Sequence, residues 1–244
     1  MNALRAELRK ALSLPAVWAG LAVTLFGSTA IAVLNSGRGK TAFETALGGM
    51  PLGTVGAVVI GVVAFSHEYT ANNADAGGGR QITTTLTVTP QRIRILLAKV
   101  MAIVLLVVGS AAVTLPVTIG ITHLIVDTTG PGVSFGDAIA RCLGGTLYWT
   151  LMALIAFAIT VILRNGVIPL IVLIVNSSVV SVSFLLSKLT SLAFWLPDVA
   201  GLRLFSDVMT VEGALDAGPG GLVMTGWAVV FCVAAGFVFT RRDA

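Results

Sequence analysis

The chain has 244 residues, 56% of them hydrophobic and only 11% charged, with a net charge of +4 and a mean hydropathy of +0.98. Soluble domains carry about 25% charged residues, so this composition excludes an ordinary water-soluble fold. A membrane span needs about 20 apolar residues, which predicts an all-α polytopic membrane protein filling residues 1–244 with one transmembrane domain of six helices.

Residues 1–14 read as an amphipathic helix lying in the membrane interface. Leu4, Leu8 and Leu12 recur every four residues, with Arg5, Glu7, Arg9 and Lys10 on the other faces. The alternative is a plain basic flank of the first span. No cleavable signal is read before that span. Pro15 breaks the helix and opens the next. Spans are predicted at about 15–34, 48–65, 93–126, 138–163, 167–186 and 222–239. The glycine-rich second span is suited to close packing. Residues 66–92 form the long polar passage of the first half, and a basic loop of this kind stays in the cytoplasm. Within it, residues 80–88 suit a short helix with Ile82 and Leu86 on one face. Thr89-Pro90 is a helix start, from which the third helix runs past the bilayer thickness, with a kink expected at Pro116.

In the second half, Arg141 is placed to snorkel at the outer end of the fourth span. Asn176, Ser177, Ser181 and Ser183 form a small polar patch in the fifth span, read as helix packing or as part of a pathway. Leu189 to Leu196 is too short to span and rich in Leu, Phe and Trp, which suits a re-entrant or interfacial element outside, and Pro197-Asp198 can start a second short helix. Ten of the fifteen basic residues fall on the side of the termini, so both termini are predicted to be cytoplasmic.

Several chemistries are not expected. Residues 34–41, LNSGRGKT, lack the first glycine of the phosphate-binding pattern and sit between spans rather than after a strand. His67-Glu68 does not continue into a zinc-binding pair, and Cys142 and Cys232 read as buried small hydrophobes rather than a disulfide or metal site. The span cores lack the ionisable groups of proton and ion relays. Any uphill work must enter from a partner, and the long loop is the surface to receive it.

Taken together, LRAELRK…P, HEYT, TTTLTVTPQRIRILLAK, FWLP and the terminal RRDA resemble, in order and spacing, the permease subunits of type-2 ATP-binding-cassette exporters. The resemblance covers essentially the whole chain. It implies a pathway formed by two permease copies, most simply a homodimer, in the inner (plasma) membrane. It implies a separate cassette ATPase that carries ATP and Mg, with no cofactor or catalytic residue on this chain. It assigns ATPase coupling to Glu68, Tyr69, Leu86 and Arg92 within the cytoplasmic coupling region 66–92. Separately, the aromatic and leucine content of the external segment suggests that Phe194 and Trp195 act as an external gate. Membrane lipid is the other expected partner, and nucleic acid is not. Mostly apolar walls favour lipophilic or amphipathic cargo such as peptide antibiotics, drugs or lipids. Competing readings are a non-transporting anchor or regulatory subunit that docks a soluble partner, and a passive channel.

Overall fold

The computed structural model describes residues 2–37, 41–67, 92–126, 133–176, 182–206 and 213–241. Among these residues it contains helices and turns and no strand. α1 is Asn2–Leu12. α2 is Pro15–Leu34, with a π-helical turn at Val23–Gly27. α3 is Ala42–Ser66, α4 is Arg92–Ile125 and α5 is Phe135–Leu163. α6 is Val167–Ile174 and α7 is Val182–Ser187. α8 is the short helix Pro197–Ala200, flanked by 3-10 turns at Ser191–Trp195 and Leu202–Leu204. α9 is Ala217–Arg241. Among the described residues α2, α3, α4, α5 and α9 are long and apolar enough to cross a bilayer, five helices in all. The chain is a multi-pass helical membrane protein.

Element starts differ from the sequence reading where a side chain caps the helix. The second span has its long helix at Met50–Ser66, close to the predicted 48–65, and is extended back to Ala42 by a short helix, Ala42–Leu47, which Thr41 caps by accepting from the Glu44 amide at 3.3 Å. The fourth begins at Phe135, because Ser134 accepts from the Asp137 amide at 3.2 Å. Pro116 lies inside α4, which continues as one helix to Ile125.

α3 and α5 form the centre of the bundle, and glycine places them there. A side chain on Gly56 would run into Thr24 and the Gly20 carbonyl of α2, and one on Gly61 into the Ala153 carbonyl of α5. Removing the side chain lets these backbones touch, the usual basis of helix association where burial from water is no longer a driving force. Trp149 of α5 is fully buried and donates its indole N–H to the Met50 carbonyl of α3 at 3.1 Å. At one end, Phe65 packs edge-on against Phe157 at 5.9 Å and Phe239 at 5.8 Å, tying α3, α5 and α9 together.

Polar contacts between spans are sparse. Thr29 of α2 and Thr118 of α4 share a hydrogen bond of 2.9 Å. Such bonds in bilayers average about 0.6 kcal/mol. Thr29→Val is therefore expected to lower stability by less than about 1 kcal/mol, measured by unfolding in mixed micelles. A larger loss would mean that hydrogen bonding rather than close packing holds α2 to the bundle.

Candidate functional sites at the two ends of the bundle

At the end where α1 lies, α1 packs against the start of α4. The contact face differs from the leucine stripe. Ala11 is buried and Leu12 exposed, and Glu7 turns inward instead of lying with the basic residues. Its carboxylate meets the Lys99 ammonium at 2.6 Å, and Lys99 also donates to the Ala64 carbonyl of α3 at 3.2 Å. Lys99 is 1% exposed. The reason is geometric: Lys99 lies two turns inside α4, on the face that α1 and α3 cover, so its ammonium is paired with an acid brought in by α1. Trp18 completes the junction by donating to the Leu12 carbonyl at 2.8 Å, which satisfies an end group of α1. α1, α3 and α4 thus meet at one buried ion pair.

The opposite end carries α8. Gly144 of α5 lets the Leu204 carbonyl approach, and Gly220 of α9 does the same for the Ala200 carbonyl. The segment from Ser191 to Leu204 is thereby seated on α5 and α9. Asp198, in the first turn of α8, is 7% exposed. Its carboxylate accepts from the Asn176 amide at 2.7 Å. Asn176 in turn accepts from the Ser183 backbone N–H at 3.2 Å, and the Tyr148 hydroxyl donates to the Asp198 carbonyl at 3.4 Å. Burial pushes the Asp198 carboxyl above its usual range, while hydrogen bonds from Ser183 and Asn176 pull the other way. Asn176 and Ser183 are seven residues apart, which in a straight helix means about 10 Å along the axis. Their direct contact shows that α6 and α7 are not collinear pieces of one rod. At the same end, Glu44 of α3 pairs with Arg141 of α5, so Arg141 answers a carboxylate rather than only snorkelling to headgroups.

No protein-family model matches this chain, and no curated protein matches it.

Asn176 and Ser183 are brought together, and Asp198 joins them. Ser177 and Ser181 lie outside the described residues, as do Glu68, Tyr69, Leu86 and the short helix expected at 80–88. Arg92 is the first residue of α4. Phe194 and Trp195 share the 3-10 turn Ser191–Trp195. Phe194 is half-buried and lies against Gly213, whose φ of +89° suits glycine. Trp195 is 56% exposed, and its carbonyl accepts from the Trp227 indole of α9 at 2.8 Å. Cys142 and Cys232 are free thiols, each half-buried. Among the described residues no cluster of His, Cys, Asp or Glu is arranged to hold a metal ion.

Sequence reading missed two residues at these junctions. Glu7 was assigned to the polar faces of α1, although an acid in an otherwise basic helix facing a lysine-bearing span was a visible signal. Asp198 was read only as a helix start after Pro197. The spans carry no mid-depth acid of their own, and the buried carboxylate comes in from the connecting segment.

Proposed function

We propose that this chain is the membrane-spanning permease subunit of an ATP-driven exporter, working as a dimer and driven by a separate ATPase bound at its α1 end. The observation that carries the reading is the Glu7–Lys99–Ala64 junction. α4 has 34 residues, about 51 Å at 1.5 Å per residue, against a hydrocarbon core of about 30 Å. Its first turns project beyond the bilayer, continuous with the region 66–92. A push on that region would be delivered into α4 with α1 and α3 locked to it as one lever. The distribution of basic residues puts this end in the cytoplasm, facing a soluble partner.

A sixth crossing belongs to this reading. The α5–α6 turn lies beside Ser66, where Gly166 approaches it, while Leu204 lies against Gly144 near the other end of α5. α9 then starts beside Ala200 and ends with Phe239 against Phe65. In this reading the chain between α6 and α9 makes the sixth crossing, since an odd number of crossings would put the two termini on opposite sides. Apolar spans without relay groups leave nucleotide hydrolysis on a partner as the source of work.

Leu86→Asp is the direct test. The substitution is expected to abolish retention of the partner ATPase in a pull-down, or to leave binding intact while substrate no longer stimulates hydrolysis in reconstituted vesicles. Central apolar residues at interfaces often cost about 2 kcal/mol or more on truncation, some thirtyfold in affinity. Parent-like binding and coupling would remove region 66–92 as the drive point. Pull-down without any transport would favour the anchor reading.

A further inference from the structure

The α1 end carries a cleft of about 530 Å³ between the start of α2, the end of α3 and the turn joining α5 to α6. That volume falls in the range of small-molecule sites, about 300–1,000 Å³. Pro15, Val62, Val63 and Leu170 give it apolar walls, and His67 and Arg164 line it with polar groups. α2 begins here, and α3 and α5 end here, so the polar groups sit at the ends of three helices long and apolar enough to cross a bilayer. Pro15 and Ala16 are exposed, so the cleft opens on the outside of the bundle. Arg164 has a second peculiarity. It ends α5 in the left-handed conformation, φ 52° and ψ 27°, where glycine is the common residue and an L side chain is sterically disfavoured. The chain keeps a guanidinium at a position whose backbone favours having no side chain.

We propose that this cleft is a specific site for an anionic phospholipid, with the phosphate held by Arg164 and an acyl chain lying along Pro15, Val63 and Leu170. Basic pockets between transmembrane helices hold anionic headgroups by charge, and the walls below supply the apolar surface that a soluble anion would not use. Such a site needs only a membrane-spanning chain, so it stands or falls separately from the exporter reading.

The experiment is native mass spectrometry of the purified full chain in neutral detergent, titrated with phosphatidylglycerol or with chain-matched phosphatidylcholine. The parent is expected to retain phosphatidylglycerol with about fivefold preference, the effect of one basic residue near an anionic surface. Arg164→Gly takes up the left-handed backbone without strain and should lose the preference, while Arg164→Lys, which restores the charge, should keep it. Ala16→Trp, which fills the cleft from its exposed side, should weaken retention of both lipids. Equal retention of the two lipids by the parent, an unchanged preference in Arg164→Gly, or parent-like binding in Ala16→Trp would each overturn the site. Displacement of the lipid by millimolar inorganic phosphate would overturn it in favour of a soluble anion.

Discussion

Glu7→Ala is expected to destabilise the protein by about 3–5 kcal/mol, the usual penalty for removing one member of a buried ion pair. Glu7 contacts Lys99 at 2.6 Å, and Lys99 is 1% exposed. Without the carboxylate, the ammonium remains inside the bundle, still donating to the Ala64 carbonyl at 3.2 Å but deprived of the Glu7 charge. The cheaper outcome is for α1 to detach and let water in. Unfolding in mixed micelles should therefore show lower stability, and a cysteine introduced at Leu8, in a background lacking Cys142 and Cys232, should become reactive to a polar thiol reagent. The double variant Glu7→Leu with Lys99→Met should recover most of the loss, because a buried pair replaced by packed apolar side chains is often neutral or stabilising. A Glu7→Ala protein as stable as the parent would mean that the pair does not hold α1 in place. The double variant also separates structure from drive. If α1 acts as part of a lever, apolar locking should preserve coupling as well as stability.

Asp198 should make the other end of the bundle tighter in acid. Its folded-state pKa is raised by burial above the ordinary carboxylate value. Between the unfolded and folded pKa values the native state binds more protons than the unfolded state, so stability falls as pH rises through the folded value. The full contribution is present below the unfolded pKa and is lost on going up in pH. Asp198→Asn should flatten that dependence and hold the α8 segment as firmly at neutral pH as the parent does in acid. Its side-chain oxygen still accepts from Asn176 and it carries no charge to bury. Asp198→Ala should instead cost about 1–3 kcal/mol at every pH, because Asn176 and Ser183 lose a buried partner. Unfolding midpoints measured from pH 4 to 8 for the three proteins check this. A parent whose stability rises with pH across that window, with Asp198→Asn showing the same slope, would remove Asp198 as the titrating group.

The membrane-spanning character of the chain was legible without any structure. Apolar runs of 18 residues or more have no stable place in water, so α2, α3, α4, α5 and α9 follow from hydropathy and length alone. Start signals were legible too: Pro15 opens α2, and Pro197 opens α8. These are local effects, in which the residue that causes the feature lies within a turn of it. What the sequence did not reveal are the partnerships. Glu7 and Lys99 are 92 residues apart, Glu44 and Arg141 are 97 apart, and Asp198 meets an asparagine 22 residues away across a bend in the chain. A charged residue near a span end has two outlets, the headgroup region or a countercharge on another helix, and hydropathy scores both the same. Only the packing of α1 onto α4, and of the α8 segment onto α5 and α9, decides between them. That packing depends on glycines whose role appears only once another backbone lies against them, Gly144 under Leu204 and Gly220 under Ala200. Composition determined that the chain lives in a bilayer. The close approach of its helices decided which of its few charges were taken out of water and what each was paired with.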